Sequence, residues 1–125
     1  MELQMYLTIG LKIIIGLSIL NVWLIQPKKH TKWRGGNATT IEEEFNVYGL
    51  SKSLYHIVYF LKVSLAILLL ASIQFDILTL VSSLGLAFLL LGSILMHVKV
   101  KDACYKSFPA FLFMVLNLTI AFLSL

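Results

Sequence analysis

The stretch SLYHIVYFLKVSLAILLLASI, residues 53–73, is long and apolar enough to cross a bilayer, yet it carries Lys62 in its middle. A spanning helix takes about 20 mostly apolar residues, because each advances the chain about 1.5 Å through a hydrocarbon core about 30 Å thick. Reading this stretch as a helix in lipid decides the fold, because other runs in the chain follow the same rule. The approximate spans are 3–25, 55–73, 77–98 and 108–125, and the short connections between most of them predict an up-down-up-down bundle. The first run, LQMYLTIGLKIIIGLSILNVWLI, repeats the anomaly with Lys12. It has no positive segment ahead of its apolar stretch and is too long for a secretory signal, so it is read as a retained helix.

The composition agrees with lipid as the main solvent. Of 125 residues, 59% are hydrophobic and 13% charged, and the mean hydropathy is +0.92, far from an ordinary soluble domain. At 14.1 kDa the chain forms one domain, residues 1–125. Cys104 is the single cysteine, which excludes an intrachain disulfide and a thiolate metal site. No zinc-type ligand cluster and no serine, histidine and acid in productive spacing occur, so neither a catalytic residue nor a metal site is assigned.

Charges outside the spans segregate. Lys28, Lys29, Lys32, Arg34 and Lys52 lie between the first two spans, and Lys99, Lys101 and Lys106 between the last two, whereas the other side offers only Glu2 and Asp76. The Lys/Arg bias predicts cytoplasmic basic loops and both termini outside, in the cell membrane. The net charge of +4 belongs to a basic collar at the membrane surface rather than to a nucleic-acid site. By the same orientation, the Asn-Ala-Thr sequon at Asn37 escapes glycosylation.

The long basic loop has structure of its own. TTIEEEFNVYG, residues 39–49, combines a capping box (Thr39 with Glu42), acids in the first turn and Gly49 as a stop, which predicts a short helix over 40–49. Ile41, Phe45 and Tyr48 share one face, which suits an amphipathic helix tucked against the bundle mouth. The preceding RGGN, Arg34 to Asn37, is backbone free enough to wrap a polar group, although two glycines are a slight basis for a phosphate site.

Small and polar residues mark the inward faces. Ala110, Met114, Asn117, Ala121 and Ser124 form a stripe in the last span, Ser82, Gly85 and Gly92 one in the third, and Gly16 follows Lys12 by one turn. Counted from the outer ends of their helices, Lys12 lies roughly 14 Å deep and Lys62 roughly 17 Å deep. Two central lysines with no acid inside the four runs call for an outside partner, a wet cavity or loss of their protons. We read Lys12, Lys62, Tyr59 and Asn117 as candidates to line one polar pocket, which would hold a quinone carbonyl, a carboxylate or a lipid phosphate. Snorkelling along each lysine's own helix is the structural alternative. His56 and His97 sit one turn inside the basic ends of neighbouring helices, where axial haem ligation is conceivable but headgroup contact is the commoner role.

The order of these features resembles DoxX-like membrane proteins. The likeness rests on GLKIIIGL in the first span, on EEFNVYGLSKSLYHIVYFLKVSLAILLL with its polar position inside the second, and on MHVKVKDACYKSFPA, in which a histidine precedes a basic linker with Asp102 and Pro109. It implies a four-helix integral membrane protein, with Arg34, Tyr48, His56, His97 and Asp102 as residues of the basic mouth. Relatives resemble small subunits of sulfur or thiol-linked oxidoreductase systems that pass electrons to quinone, while a distant branch resembles receptor-assembly chaperones. The resemblance thus implies a non-catalytic ligand-binding or anchoring subunit with a redox partner protein. An assembly factor packed on client helices is the alternative. The resemblance implies an acid at this polar position in many relatives, whereas here it is Lys62, so Lys12 lacks the partner it would otherwise have had. Transport has little support, because four helices without an acid relay offer little to alternate around. A surplus small-residue face would favour a homodimer.

Overall fold

The computed structural model describes residues 2–25 and 34–125. Helix α1 (Glu2–Leu20) runs on through a π-helical turn, Asn21–Ile25, and is followed by α2 (Ile41–Val47), α3 (Lys52–Ala71), α4 (Thr79–Lys99) and α5 (Phe108–Leu123). Single 3-10 turns, Asp76–Leu78 and Cys104–Ser107, lead into α4 and α5. Four segments, Glu2–Ile25, Lys52–Ala71, Asp76–Lys99 and Cys104–Leu123, are long and apolar enough to cross a membrane. Lys28, Lys29 and Lys32 of the basic collar lie outside the described residues.

Local chemistry sets the boundaries. Helix α3 starts three residues earlier than its hydropathy suggests, because the Ser51 hydroxyl accepts from the Leu54 amide at 3.1 Å and caps it. In α2 the capping box is shifted by one residue from Thr39 and Glu42. Thr40 is the N-cap and accepts from the Glu43 amide at 3.1 Å, while the Glu43 carboxylate accepts from the Thr39 amide and hydroxyl at 2.8 and 2.7 Å. The reason is the buried Ile41, which occupies the first helical position and places the cap just before it. Thr39's backbone bond, then its hydroxyl, holds the exposed Glu43 carboxyl below its ordinary value. Gly49, at φ +78°, stops the helix as expected.

Gln4 Nε2 donates to the Leu123 carbonyl at 3.0 Å, so both chain ends lie at one end of the bundle. Helix α2 and the α4–α5 linker meet at the other, here called the basic end. Close approach rather than apolar stickiness joins the spans. A Cβ on Gly16 would stand 2.6 Å from Leu70 Cγ, and one on Gly85 2.9 Å from Leu65 Cδ1, so α1 with α3 and α3 with α4 pack through these glycines. Gly92 departs from the stripe expected for it, since a Cβ there would meet nothing within 4 Å. In α5 the inward set is Asn117, Ile120 and Ala121, whereas Ser124 is exposed. The core joins Ile15, Ile19 and Trp23 to Ala66, Leu69, Leu86 and Ile120. Phe60, Phe88 and Phe122 point outward as lipid-facing groups.

Candidate functional site: a cavity at the basic end

Inside the basic half of the bundle lies a cavity of about 410 Å³, walled by all five helices. Its sides are mostly apolar: Ile19 from α1 and Val22 from the π-helical turn after it, Leu54 and Val58 from α3, Leu89, Leu90 and Met96 from α4, and Phe113 from α5. Lys62 breaks that wall. Its ammonium is buried, donates to the Ser93 hydroxyl at 3.2 Å, and lies 4.9 Å from the centre of the Trp23 ring, a cation–π distance. Trp23 sits in the π-helical turn that ends the first span, a helix irregularity often found at functional sites.

Helix α2 roofs the cavity. Ile41, Glu44, Phe45 and Tyr48 all border it, as the three-and-four spacing of one helix face requires. Arg34 approaches Glu44 at 3.6 Å, and the Tyr48 hydroxyl donates to the same carboxylate at 2.7 Å. Burial, and then the charge of Glu44, raises the Tyr48 phenol far above its ordinary value, so it remains a donor. Phe45 and Trp23 close an aromatic cluster with Tyr55, at 5.4 and 6.3 Å between ring centres.

The α4–α5 linker locks this roof in place. His97 Nδ1 and Asp102 Oδ2 are 2.8 Å apart, and the other carboxylate oxygen accepts from the Gly36 amide at 2.9 Å. Lys106 donates to the Gly36 carbonyl at 2.9 Å, and Lys99 to the Tyr48 carbonyl at 2.8 Å. RGGN therefore does wrap a polar group, but that group is the chain's own Asp102 carboxylate. Burial raises the Asp102 pKa, but the bonds from His97 and Gly36, with the Lys106 charge, outweigh it and hold the carboxyl below its ordinary value. Both glycines are needed: a Cβ on Gly35 would stand 2.5 Å from the Tyr48 hydroxyl, and Gly36 has φ +53°.

The residues expected to line one pocket are separated. Lys12 donates to the Ser72 carbonyl and the Thr79 hydroxyl, both at 3.1 Å, at the α3–α4 connection. Thr79 and Ser93, the respective lysine partners on α4, are about 21 Å apart along the helix. The outer ends of the helices are not level, because the α3–α4 connection lies within reach of the Lys12 side chain. Tyr59 packs its ring edge-on against Trp23 at 5.9 Å instead of joining the cavity wall. Asn117 turns back to the Phe113 carbonyl at 2.8 Å, leaving a buried Oδ1 without a hydrogen-bond partner.

The mouth candidates divide as well. Arg34, Tyr48 and His97 border the cavity, and Asp102 stands behind His97. His56 is exposed against the Tyr55 ring, so the two histidines do not face a common ligand as axial haem ligation requires. The Ser93 hydroxyl is engaged by Lys62 and the Leu89 carbonyl rather than by His97, so no nucleophile–base pair forms there. The acid missing from the spans is Glu44, supplied by the roof. It stands three residues after Ile41 and four before Tyr48, and that spacing was available to place it inward.

A family profile for the DoxX-like family matches residues 34–121. The chain belongs to the DoxX-like family. The match covers the roof helix, the lock and all but the end of the last span, while the first span, with Lys12 and Trp23, lies before it. No curated protein and no solved structure matches this chain.

Proposed function

We propose that this DoxX-like chain is a non-catalytic membrane subunit that holds one small molecule with a hydrogen-bond-accepting head, a quinone of a membrane oxidoreductase system being the candidate. Lys62 carries the reading. An ammonium has three donors, and this one is buried beside an apolar cavity with Ser93 as its hydrogen-bond partner among the described residues. A carbonyl oxygen in the cavity would accept from it, and the Trp23 face would border the bound ring.

The experiment is native mass spectrometry of the protein in nanodiscs that contain quinone. A stoichiometric quinone on the wild type, absent from Lys62→Met, is the expected result. Structural lipid and a second polypeptide alone would sink the reading in favour of an assembly factor. In this reading the basic end faces the cytoplasm. A membrane-impermeant maleimide should therefore label the exposed Cys104 only from the cytoplasmic side.

A further inference from the structure

Gly92 lies beside Ser93, the hydroxyl that holds the Lys62 ammonium. Where Gly16 and Gly85 are filled by leucines of neighbouring helices, the space over Gly92 is open. It borders the cavity together with Phe88, Leu91 and Leu95, and those three side chains are 75%, 42% and 54% exposed. The same residues thus line the cavity and face the surface that a bilayer would cover, which makes this stretch of α4 a side opening. At the basic end the way in is obstructed. Arg34, Tyr48 and His97 are buried, and the bonds of Asp102, Lys99 and Lys106 tie the roof to the linker.

We propose that the occupant enters sideways from the bilayer past Gly92. Its head rests on the Lys62 ammonium beside Ser93, and its hydrocarbon tail remains in the opening along Phe88, Leu91 and Leu95. The inference rests on the ligand-holding reading above and narrows it: the ligand is a tail-bearing molecule dissolved in lipid, not a water-soluble one delivered through the roof. Adjacency supplies the physical reason. A head anchored on Lys62, whose ammonium donates to Ser93, leaves its tail beside Gly92, where the space is open and lipid can accommodate any length of chain.

The test uses the full chain in nanodiscs with Trp33→Phe, so that Trp23, the other of the two tryptophans, reports binding by quenching. A decyl-tailed benzoquinone and its tail-less headgroup are titrated against Gly92→Phe, Gly92→Leu and the control Gly92→Ala. We expect the two larger side chains to weaken binding of the tailed molecule about tenfold and of the headgroup less than about twofold, a selectivity change of about fivefold to tenfold, or about 1.0 to 1.4 kcal/mol. Retained headgroup binding also shows that the variant is folded. Equal losses for both molecules in both variants, or no loss in either, would overturn side entry. So would a wild type that binds the headgroup and not the tailed molecule. A wild type that binds neither would remove the ligand-holding reading itself, and side entry with it.

Discussion

Lys12 and Lys62 are the same residue in the interior of two packed spans, and the bundle treats them in opposite ways. Lys12 is enclosed at the α3–α4 connection, where a backbone carbonyl and a hydroxyl accept its hydrogen bonds. Lys62 has a hydroxyl on one side, an indole face on another and a cavity beside it. A buried cation met by fixed acceptors holds helices together. On the function proposed above, one met partly by a cavity binds the ligand. Burial is nearly equal, 3% and 6% exposed, so the number and kind of acceptors separate the two roles.

Lys62→Met should cost the most in binding: about a hundredfold in quinone affinity, or about 2.7 kcal/mol, with stability changed by less than about 1 kcal/mol. A bundle that unfolds readily without this lysine would erase the contrast. Lys12→Met should do the reverse and lower stability by about 2 kcal/mol, because it strands the buried Ser72 carbonyl and Thr79 hydroxyl. Its quinone titration should match the wild type, and a matching loss of affinity would show the two lysines acting as one site.

Gly35→Ala should loosen the roof by about 1 to 2 kcal/mol, since its Cβ would press on the Tyr48 hydroxyl. Hydrogen exchange of the α2 amides would register this while the Lys12 end stays protected. The smallest effect concerns pH. The Asp102 carboxyl is held below its unfolded value of 3.8, so its contribution is complete above that value and fades as pH falls through the depressed folded pKa. Protection of the Gly36 amide should therefore persist from neutral pH to about 5 and decline below about 4. In Asp102→Asn that acid-dependent decline should disappear.

Much of this was legible in the sequence. The spans, the α2 stop at Gly49 and the inward set Ile41, Phe45 and Tyr48 follow from hydropathy, capping and spacing, and Lys62 stands out because a charge in lipid needs a reason. Glu44 was legible too, but as one of three consecutive acids it reads as solvated helix polarity rather than as the roof's inward charge. Ser93 and Trp23 were not. A serine in a span and a tryptophan near its end are ordinary residues, and only the packing of three different helices brings them to Lys62. RGGN read as backbone free to wrap some polar group, and the sequence did not say which; an aspartate 66 residues away occupies the Gly36 amide.

By itself the sequence determined that this is a four-span helical membrane protein with a capped roof helix and two unusual lysines. Hydropathy, capping and charge are properties of neighbouring residues, and neighbours suffice to evaluate them. Only the tertiary structure decided which lysine is closed and which is open, that Gly92 faces space while Gly85 faces a leucine, and that Asp102 holds the roof loop. Those outcomes depend on the relative height and rotation of helices, and a single side chain's reach or a Cβ's width along a packed interface changes them without altering any local pattern.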